Sequence, residues 1–527
     1  MISKISAFFM RRKNWTIPYA LFLAVFVVMP LLLIVLYAFT DADGAFTFAN
    51  FRKFMVHPEA MNTFVYSIGI AIITTLACLI LGYPAAYILS QERFNTSRTM
   101  VVLFILPMWV NILIRTLATV ALFDFLNLPL GEGALVFGMV YNFLPFMIYP
   151  IYNTLQKMDR SLIEAAQDLG ANPFQVFMKT ILPLSMPGVM SGIVMVFMPT
   201  VSTFAIAELL TMNNIKLFGT TVQENIYNGM WNYGAALSLI MLLLIGVTIL
   251  FTNEEDSASN EGGGDMMTKW MAKGYLWLLL VLLYSPILII MIFSFTEAKV
   301  LGNWTGFSTK LYSSLFTGGV QRSLVSALWN TFAIAMIAAT VSTLLGSIAA
   351  IGIFNLRSRT RQVMNFANAI PMMNADIITG VSLFLLFVSF GVSQGFTTVV
   401  LAHITFCTPY VVLSVMPRLK KMNQNVYEAA LDLGATPFQA LRKVILPEIR
   451  PGMISGFILA FTLSIDDFAV TIFTIGNEGL ETLSTFIYAD ARKGGLTPEL
   501  RPLSTIIFVT VLVLLIVINK RAEKSKS

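Results

Sequence analysis

Charged residues are scarce in this sequence: Asp, Glu, Lys and Arg make up 12% of its 527 residues, about half their share in soluble globular domains. With 57% hydrophobic residues beside them, this excludes a water-soluble fold and makes lipid the main solvent. Cysteine is nearly absent. Cys78 and Cys407 both lie inside apolar runs, which excludes a disulfide framework and leaves free thiols as the expectation. Histidine is as rare. His57 stands alone in a loop, while His403 and Cys407 are four apart and could share a helix face as metal ligands or as packing. A zinc site needs three or four ligands, and no others cluster nearby. The dipeptide GK does not occur, so a phosphate-cradling GxxxxGK[ST] loop is missing and any ATP must be handled by a partner. Nothing resembles a nucleophile with its base, so the chain is not expected to be an enzyme. The net charge of +6 is spread through the connections between apolar runs and forms no basic stripe for nucleic acid.

What the chain does have is long apolar runs. Six candidate spans fall at 17–39, 63–89, 99–124, 133–156, 188–210 and 232–252, and six more at 273–296, 324–355, 363–390, 396–417, 452–475 and 502–519. Each is long enough to cross the hydrocarbon of a bilayer as a helix. The expected class is an all-α membrane protein of about 12 transmembrane helices. With the N-terminus inside, most of the 34 Lys and Arg residues face the cytoplasm, as the positive-inside rule favours, and the C-terminus is cytoplasmic too. Residues 253–265, NEEDSASNEGGGD, are polar and glycine-rich and read as a flexible linker between a first half, 1–252, and a second half, 266–527.

The halves repeat each other. Residues 164–188, EAAQDLGANPFQVFMKTILPLSMPG, match residues 428–452, EAALDLGATPFQALRKVILPEIRPG, at 16 of 25 positions without a gap. At the same offset of 264, Ser67 meets Thr331, Gly82 meets Gly346, Pro107 meets Pro371 and Pro145 meets Pro409, and the GxxxG of Gly188 and Gly192 meets that of Gly452 and Gly456. An even number of spans per half makes the repeat parallel. The glycines are expected to let helices pack closely. The mid-span prolines free backbone carbonyls that protein or water must satisfy. Each copy of the 25-residue stretch reads as two short helices. Gly170 and Gly434 stop the first, Asn172-Pro173 and Thr436-Pro437 cap and start the second, and Pro183, Pro187, Pro447 and Pro451 end it.

Acids inside spans carry the remaining signal, because a carboxylate in hydrocarbon is costly and normally faces a cavity or a partner charge. Asp376 lies 14 residues beyond Gln362, and Asp466 lies 14 beyond Gly452. On straight helices both are about 21 Å deep. With Asp467 they form a candidate site for a positively charged solute. Glu208 falls near the end of the fifth span and Trp109 beside Pro107. Trp109 could add a cation-π contact or be a lipid-belt residue, Glu208 could be an interfacial acid, and Arg115 is a candidate salt-bridge partner for one acid.

The EAAxxxG pattern followed by LP resembles the cytoplasmic loop of bacterial ABC import permeases. Here it is carried by Glu164, Ala165, Ala166, Gly170, Leu182 and Pro183, and again by Glu428, Ala429, Ala430, Gly434, Leu446 and Pro447. Residues 66–89 and 106–116 are similar to the PotB-type subunits of spermidine and putrescine importers, and residues 303–316, 403–412 and 461–470 to the PotC-type subunits. The resemblance implies a type I ABC importer permease fold with both six-helix permease halves in one chain, in the bacterial inner membrane. It implies two copies of a cytoplasmic ATPase docked at the two loops, with ATP and Mg on that partner and no cofactor in this chain. It also implies an extracytoplasmic polyamine-binding protein. Asp376, Asp466, Asp467, Trp109 and Glu208 are the residues it places on the cargo path, with Trp304 on an outer loop. Similar permeases carry ferric iron, thiamine or phosphonates. An ion-coupled secondary carrier would also use buried carboxylates and internal repeats, but would not need paired EAA loops.

Overall fold

A computed structural model describes residues 12–91, 99–159, 161–250, 269–298, 304–316, 322–477, 479–492 and 498–524. The linker 253–265 lies outside the described residues, as does the Trp109 side chain. Every regular element among the described residues is helical. Among the described residues nine helices are long and apolar enough to cross a membrane: Arg12–Ala38, Pro58–Ser90, Glu132–Gln156, Pro173–Ser202, Trp231–Thr248, Trp270–Phe293, Ser323–Phe354, Phe396–Lys421 and Pro437–Asp466. Two further pairs of helices pass the same test together but are bent, Met100–Met108 with Ile112–Phe125 at 98° and Ser358–Met373 with Asp376–Ser389 at 104°, as a broken span or a re-entrant loop would be. The final helix, Leu500–Lys524, includes a shorter apolar stretch, Leu500–Thr510.

The third span of each half is therefore not the straight helix expected from 99–124 and 363–390. Pro107 and Pro371 sit a few residues before the two bends, where the missing N–H and the ring weaken the helix. The backbone then turns extended at Val110–Asn111 and at Asn374–Ala375. Prolines alone do not decide this. Pro145 and Pro409 lie inside helices that run on.

The fifth spans are broken as well. The sequence expectation ran them through 188–210 and 452–475, whereas the helices end at Ser202 and Asp466 and restart as Ala205–Leu210 and Ala469–Thr474. Thr203 and Asp467 are extended at the breaks, and Phe204 and Phe468 share nearly the same dihedrals, φ −126° and −127°. At their other ends these helices begin earlier than expected. Pro183 and Pro447 do not terminate the preceding short helices; one π-turn, Phe177–Ile181 or Leu441–Ile445, carries the chain across. The Leu182 and Leu446 N–H groups reach five residues back, to the carbonyls of Phe177 and Leu441. This wider turn accommodates a proline at the next position without a stop.

By packing, the chain forms two compact units: residues 1–51, 228–239 and 322–486, and residues 52–227, 240–321 and 487–527. They do not follow the sequence halves, since the first span of each half packs within the core of the other. Tyr19, Leu23 and Val27 join a buried cluster with Ala339, Val411 and Ala460, and Leu276, Leu279 and Leu283 join one with Ile88, Leu144 and Met147. Hydrogen bonds accompany the exchange, from Tyr19 Oη to Asn368 at 2.6 Å and from Tyr275 Oη to the Leu81 carbonyl at 2.7 Å.

Within each unit the fourth and fifth spans meet at the paired glycines. A Cβ on Gly188 would stand 2.9 Å from the Pro150 carbonyl, and one on Gly452 2.8 Å from that of Ser414. Lipid gives helices no hydrophobic reason to associate, so this close backbone approach is a main source of attraction. Ser67 and Thr331 of the second spans accept backbone N–H groups from Phe218 and Leu483, both at 2.7 Å. The repeat thus also pins two helices that lie between the candidate spans, Phe218–Tyr227 and Leu483–Arg492.

Candidate substrate path and coupling surfaces

The two EAA stretches are built alike, atom by atom. The helix Ser161–Asp168 ends at Gly170, whose φ is +81°, and Gln424–Asp432 ends at Gly434, whose φ is +85°. In each, two hydrogen bonds close a Schellman motif: Gly170 N to Gln167 O and Ala171 N to Ala166 O, matched by Gly434 N to Leu431 O and Ala435 N to Ala430 O. A capping box starts the next helix. Gln175 N donates to Asn172 Oδ1 at 2.8 Å, and Gln439 N to Thr436 Oγ1 at 3.2 Å, with the glutamine side chains returning the bond. Ile163 and Val176 in one copy, Tyr427 and Ala440 in the other, anchor the stretch in the core. The apex faces solvent: Leu169 and Leu433 are each 89% exposed, with Phe174 at 67% and Phe438 at 69% beside them. Glu164, Ala165, Gly170, Glu428, Ala429 and Gly434 are exposed too, and Ala166 and Ala430 half-buried. Two equal apolar tips on rigid, fully capped turns are docking surfaces in form.

In the first compact unit the breaks of the third and fifth spans bring three acids together. Asp376 opens the helix Asp376–Ser389 directly after the 104° bend. Its depth therefore cannot be counted along a straight helix from Gln362, and the expectation of about 21 Å for this residue is corrected. Its helix nevertheless packs against the one that restarts beyond the fifth-span break, where a Cβ on Gly380 would lie 3.0 Å from the Ala469 carbonyl. Asp376 is exposed and Asp466 half-buried.

Asp467 differs in kind. Its side chain is only 7% exposed and accepts from Thr471 N at 2.8 Å, Thr471 Oγ1 at 2.6 Å and Val470 N at 3.3 Å. It caps the short helix that restarts beyond the break, satisfying N–H groups that would otherwise be orphaned. His403 supports it: its Nε2 is 3.5 Å from Asp467 Oδ2 and 2.9 Å from Thr471 Oγ1, and its Nδ1 is 2.6 Å from Ser464 Oγ. His403 is thus neither a metal ligand nor simple packing but a hydrogen-bonding support for the fifth-span break. Among the described residues no group of acids, histidines and cysteines could hold a metal. Cys407 instead donates to the Ala460 carbonyl at 3.4 Å.

The remaining candidates lie in the second unit. Glu208, on Ala205–Leu210, is 5% exposed and accepts a hydrogen bond from Tyr488 Oη, and the Arg492 Nε is 3.9 Å from the same carboxylate oxygen. Arg115 is used locally: its Nε donates to the Val110 carbonyl at 2.9 Å and its Nη1 to that of Asn142 at 3.1 Å, stitching the broken third span. Asn111 caps the helix beyond the break, accepting from Leu113 N at 3.0 Å. The backbone of Trp109 lies in the tight turn just before it. Trp304 is 48% exposed and packs edge-on against Phe293, centroids 6.2 Å apart. Its loop is held by Glu297, whose carboxyl stays below the usual range because Ser308, at 2.6 Å, and Lys310, at 3.4 Å, bond to it.

The model of a family described as binding-protein-dependent transport system inner membrane component matches residues 5–253 and 342–520. The chain belongs to this family. It is a multi-pass inner-membrane permease, the transport component of an ABC importer, and not an enzyme; a binding protein and an ATPase complete such a system. The permease is 38% identical over 251 residues to the spermidine/putrescine transport system permease protein PotC of Escherichia coli K12, an alignment covering 48% of this chain and 93% of that protein. It is also 38% identical over 236 residues to the putrescine transport system permease protein PotI of the same strain, covering 44% and 82%. To PotB of that strain it is 33% identical over 252 residues, covering 43% and 91%. Each relative answers to about half of this permease, which joins two permease halves in one chain.

Proposed function

We propose that this permease carries polyamines such as spermidine and putrescine, through a path whose selectivity rests on Asp376 and Asp466, with Asp467 and His403 holding the fifth-span break in shape. The observation that carries this reading is the gathering of three carboxylates where two spans are broken, one of them exposed and one half-buried. A flexible polycation can exchange part of its hydration for such charges, each worth about 4 kcal/mol at 4 Å when the effective dielectric is near 20. The names of the relatives support the same cargo. Within the second unit Trp109 and Glu208 are cargo-contacting residues in this reading, and Trp304 belongs to the surface that meets a polyamine-binding protein.

In the same reading, residues 1–252 and 266–527 are the two permease halves, with both termini in the cytoplasm. Two ATPase copies, holding ATP and Mg, dock over the tips at Leu169 and Leu433 and move the capped turns as rigid bodies. The test is spermidine uptake into proteoliposomes containing the permease, its ATPase and its binding protein. Asp466→Asn and Asp376→Asn are expected to lower uptake about tenfold or more, given the charge each removes. Wild-type uptake in both variants would reject the acids as path residues.

A further inference from the structure

Glu208 is nearly closed off from solvent, yet it is not sealed by protein packing alone. Tyr488 Oη donates to its Oε2, Gln223 is hydrogen-bonded to Tyr488, and the guanidinium of Arg492 stands beside the same carboxylate oxygen. Arg492 holds its place loosely. Its Nε is 3.9 Å from the carboxylate, its Nη1 donates to Tyr488 Oη at 3.4 Å, its Cζ is 5.5 Å from the centre of the Tyr488 ring, and its side chain is 51% exposed. Lys216 and Glu224 in the same unit pair with each other at 2.8 Å, and Glu59 joins Lys216 at 3.6 Å.

A carboxylate behind, an aromatic face beside and a neutral amide completing the shell are the contacts an alkylammonium group takes. The buried acid needs a cation, because a buried charge left unpaired is costly. Arg492 meets that need only loosely, because its own side chain is 51% exposed and its Nε stands 3.9 Å from the carboxylate, beyond hydrogen-bond reach. One cation can therefore replace another at small net cost.

We propose that Glu208, Tyr488 and Gln223 form an ammonium subsite whose resident occupant is the Arg492 side chain, a tethered competitor that swings out when the cationic end of the cargo arrives. The proposal rests on the polyamine reading for its ligand but not for its geometry. A side chain tethered this closely presents its guanidinium at an effective concentration on the order of millimolar. Free guanidinium at comparable concentrations should then fill the vacated place in Arg492→Ala.

Two measurements on the complete complex test it. In proteoliposomes, Arg492→Ala is expected to lower the KM for spermidine roughly threefold to tenfold with little change in maximal rate, while Arg492→Lys stays near wild type. In the Glu208→Gln background the arginine substitution should lose its effect on KM. In detergent, guanidinium at about 10 mM should raise the melting temperature of Arg492→Ala by about 2 °C and leave wild type and the double variant unmoved. An unchanged or raised KM in Arg492→Ala, an equal effect in the Glu208→Gln background, or no guanidinium stabilisation would overturn the subsite. If guanidinium stabilises Arg492→Ala but wild type carries no spermidine, the subsite stands and the cargo assignment falls. If spermidine is carried but guanidinium has no effect, the reverse holds.

Discussion

Replacing Asp467 separates two jobs that a membrane-embedded acid can do. In Asp467→Ala the N–H groups of Thr471 and Val470 and the Thr471 hydroxyl lose their acceptor in a place where the carboxylate is only 7% exposed. Loss of an N-cap costs about 1 kcal/mol and one buried donor left unsatisfied beyond it about 1 to 3 kcal/mol, so with the Thr471 hydroxyl keeping His403 as a partner a total of about 2 to 4 kcal/mol is expected. The first compact unit has the size of a domain in which each kcal/mol moves the melting point by about 2–4 °C. A drop of roughly 5–10 °C should therefore appear in thermal unfolding in detergent. Asp467→Asn keeps one acceptor oxygen and should lose about 1 kcal/mol or less. Asp466→Asn, at a half-buried position ahead of the break, should change stability by less than about 0.5 kcal/mol. If Asp467→Ala melts with wild type, or if Asp466→Asn is destabilised equally, the assignment of Asp467 as the structural acid and Asp466 as the open one is refuted.

Other outcomes follow from the same geometry. Gly452→Ala, whose Cβ would lie 2.8 Å from the Ser414 carbonyl, should lose about 1 to 3 kcal/mol by overpacking, whereas Gly69→Ala, with nothing within 4 Å, should gain up to about 1 kcal/mol of helix propensity; detergent melting curves check both. Leu169→Asp with Leu433→Asp, at positions each 89% exposed, should leave the fold intact but strip the ATPase from the permease during size-exclusion chromatography. Glu297, held below the usual carboxylate range by Ser308 and Lys310, contributes stability that is present above the unfolded value of about 4.3 and is lost as pH falls through the folded value. The gap in melting temperature between wild type and Glu297→Gln should accordingly shrink as pH is lowered below about 4.

Much of the coupling surface was legible in the chain. Glycine at 170 and 434 and the Asn-Pro and Thr-Pro starts act through their own backbone and nearest neighbours, so short-range chemistry was enough to place the turns. The reading failed at Pro183 and Pro447, where a π-turn absorbs a residue that local rules treat as a stop. It failed again at the third and fifth spans. Hydropathy registers only how apolar a stretch is, and a helix interrupted for two residues inside a bundle is as apolar as a straight one. His403 was read without its partner because Asp467 lies 64 positions away and becomes its neighbour only through packing.

The sequence by itself determined the class, the twofold repeat, the capped EAA turns and the presence of three acids in the second half, because composition and local backbone preference act over a few residues and need no fold to be read. Tertiary structure alone decided that the first spans exchange places, that Asp467 became a cap while Asp466 and Asp376 stayed open, and that Glu208 met Arg492. Those outcomes depend on which helix ends and side chains arrive together. In lipid that is set by close packing and hydrogen-bond satisfaction between distant segments.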